Sequence, residues 1–127
     1  KSNNLRITEY INDMDVCLAA ADLVICRSGA STLAELEAAG RASILIPSPI
    51  VAGNHQYHNA MVLGKAGAAV VVEQKDASPK RIISEMEKLY NSPDTVAVMS
   101  QSAAKLHLSD TNERILAVID KLIAKKK

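Results

Sequence analysis

The chain has 127 residues and a hydrophobic fraction of 48%, which is enough for the buried core of one globular domain. Its 15 basic and 14 acidic residues nearly cancel, and it has no Phe or Trp, so it lacks both the basic excess and the aromatic platform typical of nucleic-acid binders. No apolar run approaches the ~20 residues that cross a bilayer, and the two cysteines, too few for a disulfide framework, are expected to be buried in a reducing compartment.

The first part of the chain alternates predicted strands with predicted helices. Residues 5–10 alternate in polarity and carry β-forming side chains, which predicts a strand. The continuous apolar run Leu23–Cys26 predicts a strand that is buried on both faces. The other elements predicted here are helices over residues 12–20, 32–40 and 55–66 and strands over residues 43–46 and 69–73.

Three consecutive helices are predicted to close the chain. Ser78 and Ser92 are each followed by proline, the pattern of a helix N-cap with proline at the first helical position. Asp110 and Glu113 have the spacing of a capping box, which predicts a last helix of about 14 residues. The whole pattern predicts an α/β fold: a Rossmann-like parallel sheet flanked by helices and ending in three consecutive helices, in one domain over residues 1–127.

Two loops at predicted strand ends are candidates for a binding site. Residues 27–31 follow one strand, residues 47–54 follow the next, and both lead directly into a helix. Open parallel sheets bind ligands outside the carboxyl ends of their strands, where small residues allow close approach and helix N-termini favour anions such as phosphate. The alternative is a tight turn that needs Gly29 for its backbone alone, since the run is neither a GxGxxG nor a Walker pattern.

Glu35 has two possible roles. With Thr32 it fits a capping box, in which its carboxylate reaches back to the backbone N–H of Thr32. Alternatively, the carboxylate accepts hydrogen bonds from the hydroxyls of a ribose, as an acidic residue does beside a bound dinucleotide. Residue spacing alone leaves both roles open.

The helix after the second loop carries polar side chains on one face. Gln56 and Asn59 lie three residues apart, and their amides can donate to and accept from the hydroxyls of a sugar. His55 and His58 also share a face, but no third residue has a spacing that would complete a metal site. This pattern favours a carbohydrate over a metal ion as the ligand.

Four stretches carry a family resemblance, and they occur in order over most of the chain. They are INDM at residues 11–14, ADLVICRSGASTLAELEAAG at 21–40, ILIPSP at 44–49 and NHQYHNAMVLGKAGAAVVVEQKD at 54–76. Together they resemble the MurG family of bacterial UDP-N-acetylglucosamine transferases, in glycosyltransferase family 28. Gly53 departs from the family, which often has an acidic residue there. The resemblance implies most of the C-terminal, nucleotide-sugar-binding half of a GT-B fold.

The resemblance also implies a set of substrate-binding residues. They are Ile11, Ser28, Gly29, Ala30, Ser31, Thr32, Leu33, Ala34, Glu35, His55, Gln56 and Asn59. Ile11 would contact the uracil, the turn and helix start at residues 28–33 would face the diphosphate, Glu35 would hold the ribose, and the second loop would meet the N-acetylglucosamine. The resemblance implies no cofactor, no metal and no catalytic residue within this chain.

The implied reaction moves N-acetylglucosamine from UDP-N-acetylglucosamine to lipid I, giving lipid II with inversion at the anomeric carbon. Because the first residue is Lys rather than Met, we expect a piece of a longer protein. The resemblance implies that the N-terminal domain, absent here, binds lipid I and supplies the general base, so the chain alone would be inactive. The protein would be cytoplasmic, peripheral on the inner face of the bacterial cell membrane, without a nucleic-acid partner. The alternatives are a stand-alone donor-binding subunit of a eukaryotic type, or a non-catalytic α/β binding module.

Overall fold

The computed structural model describes residues 3–126 and contains a parallel sheet covered by helices on both faces. Its strands are β1 (Leu23–Cys26), β2 (Ala42–Leu45) and β3 (Ala69–Val71), which lie side by side in that order. In the register of the sheet, Ile25 lies opposite Ile44, and Ile44 lies opposite Val70. The predicted parallel α/β architecture is therefore confirmed.

Helices separate the strands and then follow one another to the end of the described chain. They are α1 (Met14–Ala20), α2 (Ala30–Ala39), α3 (His55–Lys65), α4 (Pro79–Tyr90), α5 (Pro93–Leu106) and α6 (Thr111–Lys125). The three closing helices are confirmed, with proline at the start of α4 and of α5. None of the helices within residues 3–126 is long and apolar enough to cross a membrane.

The caps of the closing helices follow the sequence pattern only in part. Ser78 caps α4 as predicted, because its hydroxyl accepts a hydrogen bond from the backbone N–H of Arg81 at 3.2 Å. The capping box predicted for α6 is wrong, since the side chain of Asp110 makes no cap hydrogen bond. Instead, the hydroxyl of Thr111 donates to the carbonyl of Leu108 at 3.0 Å, which satisfies a backbone acceptor outside the helix.

The strand predicted over residues 5–10 is wrong. This segment forms neither strand nor helix, and all of its residues are exposed. Its alternating pattern suits a strand, but a strand needs a neighbour for its N–H and C=O groups, and within residues 3–126 β1 pairs only with β2. The expected burial of the cysteines is wrong for Cys17, which is exposed, while Cys26 is partly buried.

The core has two parts because alternate residues of the central strand β2 face opposite sides of the sheet. Ile44 is fully buried and packs in a cluster with Leu89 of α4 and Met99 of α5. Leu45 is fully buried on the other side, in a cluster with Leu36 of α2. Two helical layers thus hold the sheet and fix where its strand ends lie.

The end of α2 depends on glycine. Gly40 adopts the left-handed conformation with φ of 60°, and the next N–H, from Arg41, donates to the carbonyl of Leu36 at 3.0 Å. A Cβ atom at Gly40 would lie 3.3 Å from the Cβ of Ala104 in α5. Glycine therefore ends the helix, as predicted, and also allows α5 to approach it closely.

Candidate nucleotide-sugar site

The loop after β1 leads into an open helix start. Gly29 is the N-cap of α2, so the helix begins at Ala30, earlier than the predicted start at Thr32. The first helical hydrogen bond runs from the N–H of Leu33 to the carbonyl of Gly29 at 3.1 Å. Within the described residues no acceptor meets the N–H groups of Ala30, Ser31 or Thr32. Such adjacent donors at the positive end of a helix dipole suit an anion.

Ser28 joins this loop to the start of α3. Its side chain is fully buried, and its hydroxyl donates to the backbone carbonyl of Gln56 at 2.6 Å. In return, the Nδ2 of Asn59 donates to the carbonyl of Ser28 at 3.3 Å. Three of the predicted site residues, Ser28, Gln56 and Asn59, therefore lie together. Hydrogen bonds between their polar groups connect the loop after β1 to the start of α3.

The loop after β2 is held in the same way. The Oε1 of Gln56 accepts a hydrogen bond from the backbone N–H of Ser48 at 2.9 Å. The guanidinium of Arg27 donates to the carbonyl of Ile46 at 3.2 Å. The side-chain amide of Gln56 is thereby oriented: its oxygen is engaged, and its NH₂ group is the end that can donate to a ligand.

Sequence analysis missed Arg27 and Ser48 as members of this arrangement. Arg27 could have been found from its position directly after β1, where a side chain lies at the carboxyl edge of the sheet. The expected burial of β1 on both faces is wrong, since Ile25 is exposed and the other three residues of the strand are only partly buried. Ser48 contributes only its backbone N–H, which any residue except proline provides, so no sequence signal marks it.

The capping-box interpretation of Glu35 is wrong. Thr32 lies inside α2 rather than at its N-cap, and no side chain caps this helix. Glu35 is exposed, one helical turn beyond the exposed Ser31, and its carboxylate has no hydrogen bond or ion pair with any of residues 3–126. Because residues four apart share a helix face, Glu35 and Ser31 lie on the exposed side of α2, where the carboxylate is accessible to a ligand.

The remaining predicted residues lie at the edges of this region. His55 is exposed at the first position of α3. Ile11 precedes α1 and lines a small pocket of about 250 Å³ together with Tyr10 and Asn12. His58 makes an edge-to-face ring contact with Tyr57, with centroids 5.8 Å apart. Among the described residues no group of three or more His, Cys, Asp or Glu is placed to hold a metal ion.

A separate cleft of about 450 Å³ opens beside the second loop. Its lining residues are Pro47, Pro49, Asn54, Tyr57, Glu73, Gln74 and Lys75. Lys75 and Glu73 form an ion pair at 2.8 Å, and the hydrogen bond from Lys75 to Glu73 raises the pKa of the lysine.

Burial raises the pKa of the Cys26 thiol at the end of β1, so this thiol stays protonated at neutral pH and is a poor nucleophile.

A parallel sheet whose strand ends lead through small-residue loops into helices is the architecture in which α/β domains bind phosphorylated ligands at the carboxyl edge of the sheet. A sequence model of the glycosyltransferase family 28 C-terminal domain matches residues 1–115. The chain therefore belongs to this family.

Individual relatives support the same assignment. The chain is 42% identical over 126 residues to the UDP-N-acetylglucosamine–N-acetylmuramyl-(pentapeptide) pyrophosphoryl-undecaprenol N-acetylglucosamine transferase of Acetivibrio thermocellus, covering 99% of this chain and 34% of that protein. It is 47% identical over 112 residues to the protein of the same name from Sorangium cellulosum, covering 88% and 28%. The chain thus spans about a third of the length of the first curated relative.

Solved structures agree with the fold. The MurG crystal structure from Acinetobacter baumannii matches with a TM-score of 0.83 and 28% identity, covering 91% of this chain and 33% of that one. The glycosyltransferase VinC, solved in complex with dTDP, matches with a TM-score of 0.73 and 18% identity, covering 94% and 30%. The second likeness concerns the fold alone, and both place the chain within GT-B glycosyltransferase architecture.

Proposed function

We propose that this chain is the donor-binding domain of an inverting transferase that moves N-acetylglucosamine from UDP-N-acetylglucosamine to lipid I, giving lipid II for peptidoglycan. The observation that carries the proposal is the open N-terminus of α2, held beside the start of α3, in a chain that belongs to glycosyltransferase family 28. Residues 1–127 form most of one domain in this proposal, and the acceptor domain lies elsewhere in a longer protein.

The diphosphate of the donor binds at the start of α2. The N–H groups of residues 30–32 donate to phosphate oxygens, and the helix dipole favours their negative charge. During the reaction the sugar–phosphate bond breaks and negative charge grows on the departing UDP. Donors that are already oriented stabilise that charge without reorganising, which lowers the barrier of the transfer.

The two ends of the donor meet the remaining site residues. The exposed carboxylate of Glu35 accepts hydrogen bonds from the ribose hydroxyls, and the backbone of Ile11 contacts the uracil. At the other end, the oriented NH₂ group of Gln56 donates to a hydroxyl of the N-acetylglucosamine, with His55 and Asn59 beside it. These groups bind and orient the donor but move no proton, so the general base comes from outside this chain.

The acceptor and the membrane belong to the longer protein. The relatives that match over nearly all of this chain are about three times its length and are named for transfer to a pyrophosphoryl-undecaprenol carrier. A carrier of that kind is lipid-linked, so the proposed protein works as a peripheral enzyme on the cytoplasmic face of the cell membrane.

The substitution Glu35→Gln in the full-length protein that carries this chain tests the proposal. An amide cannot replace a carboxylate that accepts two charge-assisted hydrogen bonds, so we expect the affinity for UDP-N-acetylglucosamine to fall by about 1.5–3 kcal/mol. Because Glu35 is exposed and unpaired within residues 3–126, the free energy of unfolding should change by less than roughly half a kcal/mol. Donor titration by calorimetry and thermal melting without ligand measure the two quantities.

Glu37→Gln is the matched control, because Glu37 lies on the same helix two residues further on, and residues two apart do not share a helix face. Its carboxyl is partly buried, and this burial raises its pKa. We expect this control to bind the donor as the wild type does. Unchanged donor affinity in the Glu35 variant would contradict the ribose role of Glu35.

A further inference from the structure

The hydroxyl of Ser28 is not available to a ligand. The residue is fully buried, and its Oγ donates to the carbonyl of Gln56 at 2.6 Å, a short hydrogen bond. A hydroxyl has one proton to donate, so donation to a phosphate would require this bond to break. Its neighbour Gly29 is different, since a Cβ atom built there meets nothing within 4 Å. The open side of the turn is therefore at Gly29, and Ser28 faces inward.

Ser28 and Asn59 together form a two-point connection between the starts of α2 and α3. The side chain of Ser28 bonds to the backbone of α3, and the side chain of Asn59 bonds back to the backbone of Ser28. The two bonds join residues that are 28 and 31 positions apart in sequence. Because one bond runs in each direction, the connection fixes both the spacing and the relative orientation of the two helix starts.

We propose that Ser28 and Asn59 are positioning residues that hold the diphosphate half of the site at a fixed distance from the sugar half. The inference rests on the proposed function, and it reassigns Ser28 from a ligand contact to a connection between the two halves. The halves are the open N–H groups of residues 30–32 on α2 and the oriented amide of Gln56 on α3. A nucleotide sugar must engage both at once, whereas a nucleoside diphosphate engages only the first.

Comparing UDP-N-acetylglucosamine with UDP distinguishes a residue that positions the two halves of the site from a residue that contacts the diphosphate. If the connection is broken, the two halves can move relative to one another, and a ligand that spans both must restore their order when it binds. A ligand that touches only the diphosphate half has no such cost. The loss of affinity should therefore appear for UDP-N-acetylglucosamine and be nearly absent for UDP.

Ser28→Ala in the full-length protein is the test, with calorimetric titration of both ligands. Loss of one buried hydrogen bond should weaken UDP-N-acetylglucosamine binding about fivefold to tenfold, while UDP binding should change by less than about twofold. Ser28→Cys fills nearly the same space with a weak donor. If the alanine variant folds poorly, the cysteine variant should show the same selective loss of UDP-N-acetylglucosamine affinity.

Ser100→Ala is the matched control. The hydroxyl of Ser100 on α5 accepts a hydrogen bond from the backbone N–H of Ala42 at 3.3 Å, at the amino end of β2 and so at the opposite end of the sheet from the site. This variant also loses a hydroxyl that bonds to the backbone, but both affinities should match those of the wild type. Its melting temperature shows how much of any change is general destabilisation.

Equal weakening of both ligands in the Ser28 variants would mean that Ser28 contacts the diphosphate, and it would overturn the proposal. Unchanged affinity for both ligands would overturn it as well, since the connection would then have no effect on the site. A wild-type protein that binds neither ligand would contradict the proposed function itself. That outcome is distinct, because it is seen before any variant is made.

Discussion

The carboxyl edge of the sheet and α6 are held in opposite ways. At the sheet edge, side chains of Ser28 and Asn59 bond to backbone groups 28 and 31 positions away in sequence, and the side chain of Gln56 bonds to a backbone group in the neighbouring loop. In α6 every described residue is exposed, including Ile119 and Leu122, which are 44% and 59% exposed. The first region is defined by contacts between distant parts of the chain, and the second by its own helical pattern.

Comparing α2 with α6 shows that a sequence pattern can specify a helix without specifying that the helix packs into the core. Both α2 and α6 have apolar residues at helical spacing, and both were predicted to be helices. Leu36 of α2 is fully buried in the core cluster, whereas no residue of α6 is buried and none belongs to either core cluster. Most helical stability in proteins comes from packing of the apolar face rather than from propensity. We therefore expect α6 to contribute little to the stability of this domain.

The largest predicted effect is a pair of leucine substitutions that isolates this difference. Leu36→Ala in the 127-residue chain should lower the free energy of unfolding by about 2–5 kcal/mol, because it removes a fully buried side chain and leaves a cavity. Leu122→Ala makes the same chemical change on α6, and it should cost less than about 0.5 kcal/mol because that side chain is exposed and alanine favours helices. Urea denaturation measures both values.

A cost above about 1.5 kcal/mol for Leu122→Ala, well outside the range of ordinary surface substitutions, would contradict the comparison, since α6 would then be packed in solution. A small cost for Leu36→Ala would contradict the description of the core. Far-UV circular dichroism before denaturation confirms that each variant starts from the same helical content.

Sequence analysis predicted the features that are local in the chain. The helices α4 and α5, the strand Leu23–Cys26 and the glycine that ends α2 each follow from a cap or an apolar run within a few residues. Helix α6 forms although the capping box predicted for it is absent. The strand predicted over residues 5–10 failed because pairing depends on a neighbouring strand, which the local alternating pattern cannot specify.

The same limit applies to the candidate site. The two loops and their helix starts were predicted from the order of elements, and the structure brings these loops together through the bonds of Ser28 and Asn59. Partners 28 and 31 residues apart leave no periodic signal in the sequence. The role of Glu35 as a cap was a local inference, and it failed because α2 begins at Ala30, which moved the N-cap to Gly29.

The next effect tests whether the bond from a side chain to a loop backbone at the sheet edge contributes to stability. Gln56→Ala removes the acceptor for the backbone N–H of Ser48, and it should cost about 1 kcal/mol of unfolding free energy. Gln56→Glu keeps an acceptor oxygen in the same place, so it should retain most of that stability while losing the NH₂ donor to the sugar. Gln101→Ala, at an exposed position of α5, is the control and should change stability by less than about 0.5 kcal/mol.

Chemical denaturation of the three variants gives the stabilities, and donor titration of the corresponding full-length proteins gives the affinities. Equal stability of the alanine variant and the wild type would mean that the bond to Ser48 contributes nothing measurable. Undiminished donor binding by the glutamate variant would argue against a hydrogen bond from the amide of Gln56 to the sugar.

The smallest predicted effect concerns the ion pairs of Glu85 on the packed helix α4, with α6 as the comparison. Glu85 of α4 accepts hydrogen bonds from Lys88 at 3.1 Å and from Arg81 at 3.0 Å, and the bond from Lys88, followed by the contribution of Arg81, lowers the pKa of its carboxyl. A folded-state pKa below the unfolded value of about 4.3 stabilises the fold above that pH, and this stabilisation is lost as the pH falls through the folded value.

We therefore expect Glu85→Gln to lower the free energy of unfolding by about 0.5 kcal/mol at pH 7, a modest value because both cationic partners are largely exposed to solvent. The difference between variant and wild type should shrink as the pH is lowered below about 4, where the wild-type carboxyl becomes protonated. Asp120→Asn on α6 is the control, since Asp120 has no ion pair within residues 3–126, and it should change the free energy of unfolding at pH 7 by less than the Glu85 variant does. Urea denaturation from pH 3 to pH 7 measures the free energies of unfolding of both variants and the wild type. If the difference between the Glu85 variant and the wild type stays constant over this range, the ion pairs do not stabilise α4.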